Sequence, residues 1–162
     1  MATLLVLGIG NPLLADDGAG VHAALRLAGR AAGRGDVVVL DAGTLSFSLA
    51  AALRDADALI AIDATRAGGR PGEIRICEGE EFDRFVQRSG RSLNEVGLAE
   101  LIECARRSGQ LPMNRVLIGV EPEIVDWGLE LSPAVTAALP RCVDVALDYI
   151  DRWHPADPRT AH

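Results

Sequence analysis

A single α/β domain, three layers deep, with a mixed but mostly parallel sheet of about five strands flanked by helices, is predicted by three features of the 162-residue sequence. Short apolar runs bounded by turn residues alternate with segments of helical period. Two runs, VVVL and ALIAI, are apolar throughout, as strands covered on both faces are, whereas EIRIC alternates like a one-sided edge strand. The length is about that of one domain and suffices for a core without staples.

Each element has its own reason. The apolar run TLLVL predicts a strand at residues 3–7, and the loop LGIGNPLLADDGAG leads from it into a helix at 18–31. A strand at 37–40, a helix at 45–54 and a strand at 58–62 follow by the same change of period. The alternating strand occupies 73–77, and only TRAGGRPG separates it from its predecessor. That is too short for a crossover between parallel neighbours, so the two strands are expected to pair antiparallel. A helix at 95–107 precedes a strand at 115–120. Ser132 before Pro133 is a cap with proline at the first helical position. The helix it starts runs to about residue 153 along the stripe Val135, Leu139, Cys142, Val143, Ala146, Leu147, Ile150, with a kink expected at Pro140. The domain thus spans 1–153, and HPADPRTAH, polar and without periodicity, reads as a flexible tail at 154–162.

Composition removes several functions. The net charge is −7 and every basic residue is Arg, without the clustering that nucleic acid or an anionic membrane requires. No run approaches the roughly 18 apolar residues of a membrane span, and no leader pattern precedes the first strand, so a cytoplasmic protein is expected. Cys77, Cys104 and Cys142 are odd in number and widely spaced, which suggests neither a disulfide framework nor a thiolate metal site. Cys142 falls on the apolar stripe and is expected in the core.

The ligand-binding edge of an open α/β sheet lies outside the carboxyl ends of its parallel strands. Here that edge is acidic. The first strand leads to Asp16 and Asp17, the second ends at Asp41, the third at Asp63, and the fifth at Glu121. Singly, each could be a helix cap or a turn acceptor. Together they repel one another unless a cation or protonation relieves them, which points to a cation. A dinucleotide site is the rival, because Gly8-Ile9-Gly10 starts the G-x-G-x-x-G fingerprint and Asp41 stands where a ribose-binding acid belongs. Its third glycine is Leu13, Pro12 intrudes, and Asp16 and Asp17 would repel a phosphate at the helix entrance. No nucleotide is therefore expected. The histidines are His22, His154 and His162, and no serine or cysteine has a visible general base. If the protein cuts a bond, carboxylates and a metal carry the chemistry.

With those residues in hand, the chain resembles the hydrogenase maturation endopeptidases. The matching segments run in order: LLVLGIGNPLLADDGAGV, VVLDAGT, LIAIDAT followed by RPGEIRI, SLNEVGLAELI, and LIGVEPEIVDWGLELSPAV. The resemblance implies a mixed-sheet fold and a protease that trims the C-terminal extension of a nickel-iron hydrogenase large-subunit precursor, recognising nickel already inserted there. It implies catalytic and nickel-contacting roles for Asp17 and Asp63. Gly10, Asn11, Asp41, Gly43 and Thr44 are then expected to contact the substrate, the loop glycines bringing backbone close to metal or substrate chain. The family's third nickel contact is a histidine, and this chain has Asn94 at that position. An amide oxygen suits hard cations better than nickel. Two functions follow: a working, nickel-guided endopeptidase acting as a monomer, or a homologue that binds precursor or metal as a chaperone without cutting.

Overall fold

The computed structural model describes residues 2–42, 47–88 and 96–160. Strands β1 (Leu4–Gly8), β2 (Val37–Asp41), β3 (Ala58–Ala64), β4 (Ile74–Glu78) and β5 (Asn114–Val120) form one sheet in the order β2-β1-β3-β5-β4. The first four in that order are parallel, and β4 closes the edge antiparallel to β5. Helices α1 (Ala19–Arg30) and α5 (Pro133–Trp153) cover one face. Helices α2 (Phe47–Asp55), α3 (Glu80–Arg88) and α4 (Val96–Arg107) cover the other.

Strand alternation sorts the core between the faces. Leu4, Val6, Ile60, Ile62, Val116 and Ile118 meet α1 and α5 through Ala23, Leu27, Leu139, Val143 and Ile150. Leu5, Leu7, Leu59 and Leu117 meet Leu49, Leu53, Phe82 and Ile102. The capped start of α5 is as the sequence predicts, with the Ser132 hydroxyl accepting from Val135 N. The helix runs unbroken through Pro140, whose exposed position keeps the missing N–H out of the core.

Three expectations are corrected. Strands β3 and β4 are not neighbours, because β5 lies between them. The segment joining them crosses over the end of β5, where Thr65 packs on Gly119 so closely that a Cβ there would stand 2.3 Å from Oγ1. Helix α3 has no counterpart in the sequence reading. Only Phe82, Phe85 and Val86 mark its buried face, and Asp83 ties it to β5 through an ion pair with Arg115 at 2.7 Å. Finally, His154 belongs to the folded body. Its ring is buried at the amino end of the sheet, with Nε2 2.9 Å from Asp57 Oδ1 and Nδ1 3.2 Å from Asp36 Oδ2. Arg34 donates to Asp36 and to the His154 carbonyl, and its guanidinium holds the Asp36 carboxyl down at about 2.

Cys77, Cys104 and Cys142 are all free thiols, and only Cys104 is exposed. Burial pushes the Cys142 thiol up to about 11, far from a reactive thiolate. Replacing Cys142 with serine should lower stability by about 1–3 kcal/mol, because a hydroxyl is then buried without an assured partner. Calorimetric melting checks this. A thiol-blocking reagent should label Cys104 readily without inhibiting the protein, and rapid stoichiometric inhibition would contradict a carboxylate-based site.

Candidate active site

The loop after β1 turns sharply. Gly10 has φ +117, and a Cβ there would lie 1.9 Å from the Asp17 carbonyl oxygen, so only glycine fits. Asn11 caps the turn, its Oδ1 accepting from Leu13 N at 3.0 Å, while its own N–H donates to Asp17 Oδ2 at 2.9 Å. A 3-10 turn, Ala15–Gly18, then feeds α1. Gly20 lets this helix sit directly on the sheet end, since a Cβ would meet the Ile62 and Ile9 carbonyl oxygens at 2.1 and 2.5 Å. Gly10 and Gly20 permit close approach within the loop and onto β3.

The two adjacent aspartates part company. Asp16 is fully buried and accepts four hydrogen bonds: from Glu123 N, Ile124 N and the Ser132 hydroxyl through Oδ2, and from Ser132 N through Oδ1, all at 2.7–2.9 Å. Burial pushes its carboxyl up, but the donors from Ile124, Ser132 and Glu123 outweigh that and hold it below the ordinary range. It is a structural anchor. The loop's acids therefore do not both face a ligand, as the sequence reading supposed; Asp16 fastens the segment between β5 and α5. The same segment is stitched to the glycine loop by a parallel bridge between Leu14 and Gly128, and by Asp16 N donating to the Ile124 carbonyl.

Asp17 is half-buried on the 3-10 turn, which packs against β3. Asp63 lies near the carboxyl end of β3, buried, in register with Gly119. It follows Ile62, whose carbonyl accepts Ile9 N and lies beneath Gly20. One loop thus brings Asp17 to the strand end that carries Asp63. Asp41 ends β2 opposite Gly8 and is exposed. Glu121 is drawn aside, its Oε2 accepting Ala67 N at 2.8 Å to hold the β3–β4 connection. Gly43, Thr44 and Asn94 lie outside the described residues. Among the described residues, no three His, Cys, Asp or Glu side chains gather closely enough to hold a metal ion. Two carboxylates at one sheet edge can bind a cation presented by a partner, or orient water toward a peptide carbonyl.

Comparison with known proteins fits this architecture. A sequence profile described as HycI, hydrogenase maturation protease, matches residues 21–149. The chain is similar to the hydrogenase expression/formation protein HupD of Bradyrhizobium diazoefficiens, 38% identical over 151 residues that cover 93% of this chain and 79% of the relative. In structure it is similar to the hydrogenase maturating endopeptidase HybD of Escherichia coli, with a TM-score of 0.83, 28% identity and 94% of each chain covered. A second Escherichia coli endopeptidase, solved in solution, superposes with a TM-score of 0.85 at 30% identity over 99% of each chain. No helix among the described residues is long and apolar enough to cross a membrane.

Proposed function

The chain belongs to the hydrogenase maturation protease family and is a peptidase, and from that premise we propose that it removes the C-terminal extension of a nickel-iron hydrogenase large-subunit precursor, guided by nickel already seated in that precursor. The observation that carries this reading is the separation of roles within the aspartate pair. Asp16 is consumed by four donors, which fixes the loop, and Asp17 is set beside the end of β3, where Asp63 stands. In this reading Asp17 and Asp63 contact the substrate's nickel, and the remaining coordination comes from the precursor. Asp41 at the end of β2 and Gly43 and Thr44 beyond it in sequence, with Gly10 and Asn11 in the glycine loop, flank the substrate chain in this reading. Hydrolysis adds water across one peptide bond and needs no nucleotide.

The test is incubation of the purified protein with a nickel-loaded large-subunit precursor, followed by mass measurement of the precursor. Shortening at the C-terminus with nickel, and none without it, is the expected result. Asn94, at the family's histidine position, favours a second reading in which the chain binds the precursor without cutting it; binding without shortening would establish that one.

Asn94→His gives a further check. Nickel prefers imidazole nitrogen to amide oxygen, so the variant should bind nickel at least about tenfold more tightly at neutral pH by calorimetric titration. Equal affinities would place Asn94 away from the metal.

A further inference from the structure

Five large apolar side chains stand in solvent on the two loops that frame Asp17. Trp127 is 79% exposed and Leu129 72%, and Leu13, Ile124 and Val125 are exposed beside them. They are neighbours across the stitched loops: Gly128 N donates to the Leu13 carbonyl, Ala15 N to the Gly128 carbonyl, and Asp16 N to the Ile124 carbonyl. An apolar strip of this size on a surface marks an interaction site more often than chance exposure does. The strip is also held in shape. The buried Asp16 carboxylate, accepting from Glu123 N and Ile124 N on one side of the strip and from Ser132 on the other, spends strong charge-assisted bonds on fixing a segment that contributes little to the core. Preorganisation of exposed aromatic and aliphatic groups is what a binding surface needs.

Charge narrows the occupant. Exposed acids Glu123, Asp126 and Glu130 alternate with the apolar residues in EIVDWGLE, and Asp17 follows directly on the stitched turn. A partner must therefore offer apolar side chains interleaved with arginine or lysine, and it must approach the same sheet edge as the scissile bond. Resting on the function proposed above, we propose that this strip docks the precursor itself, through an apolar, basic stretch of chain flanking the cleavage point. The strip thereby sets substrate affinity independently of the residues that contact nickel.

Trp127→Ser combined with Leu129→Ser is the test, because both side chains are outside the core and their loss should leave the melting temperature unchanged. Binding to immobilised nickel-loaded precursor, and KM and kcat for its shortening, are measured for the wild type and the double variant. We expect affinity to fall, and KM to rise, by about tenfold or more, with the loss concentrated in KM. A second variant, Glu123→Gln with Glu130→Gln, should weaken binding and flatten its dependence on salt. Unchanged affinity and KM in the double serine variant would overturn the docking role while leaving the protease assignment intact. Wild-type binding without shortening, lost in the serine variant, would keep the docking role and refute the cutting activity. A wild-type dimer that dissociates in the serine variant, without loss of precursor binding, would make the strip a self-association face and overturn the proposal.

Discussion

Asp17→Asn and Asp63→Asn should each reduce precursor shortening by about a hundredfold or more while the protein stays folded. Both substitutions keep the shape and remove a charge. At an edge where Asp17, Asp41 and Asp63 gather, losing one acid should leave the melting temperature unchanged or slightly raised. The loss belongs to the chemistry, since a neutral amide cannot serve as a base and binds a divalent cation more weakly than an anionic carboxylate does. Paired melting and cleavage measurements decide the matter. Loss of folding together with cleavage would make holding the loop and strand end, as in the bond from Asn11 N to Asp17 Oδ2, their main role, and normal cleavage would remove them from the site.

One residue upstream the outcome should invert. Asp16→Ala strands the Glu123, Ile124 and Ser132 N–H groups and the Ser132 hydroxyl, all of which now end on one buried carboxylate. Leaving buried donors unsatisfied makes this a strongly destabilising substitution, about 3–5 kcal/mol, or roughly 6–20 °C in melting temperature for a domain of this size. Ser132→Ala, which deletes one of these donors and the cap on Val135 N, should cost about 1–3 kcal/mol. The pH dependence follows from the lowered Asp16 carboxyl. A carboxyl that ionises more readily folded than unfolded stabilises the fold above its unfolded value of about 3.9, and that contribution disappears as pH falls through the lower, folded value. Asp36, held at about 2, acts in the same direction. Urea titrations between pH 6 and pH 2 should show stability falling below about pH 4, with the slope reduced in Asp16→Ala.

The contrast between these neighbours shows what was legible in the sequence. Strand positions could be read to within about two residues, and α5 to its first residue, because hydrophobic period and the Ser132-Pro133 start are local signals. The acidic edge could be read too, since strand ends and fold class place Asp17, Asp41 and Asp63 there. The different fates of Asp16 and Asp17 were not legible. The donors that claim Asp16 lie 107 to 116 residues away, and no local pattern announces them. The same holds for His154, whose partners Asp36 and Asp57 precede β2 and β3. Helix α3 did leave a trace: Phe82, Phe85 and Val86 stand at i, i+3 and i+4, but among charged neighbours the run is too short to stand out.

The order β2-β1-β3-β5-β4 also has a consequence for how the chain is made. Strand β4 leaves the ribosome before β5, the strand it pairs with, and the neighbour it meets first is β3, joined to it by a short glycine-rich segment. At about 5–20 residues per second, the roughly forty residues from β4 to the end of β5 take about 2–8 s to synthesise. During that interval β3 presents one unpaired edge and β4 is free to occupy it as an antiparallel hairpin, the arrangement that the intervening sequence favours locally. Completion of the sheet then requires the newly made β5 to enter between two strands already in hand. The nascent protein therefore passes through an interval in which the native partner of β4 has not yet been made and the free edge of β3 is open to it.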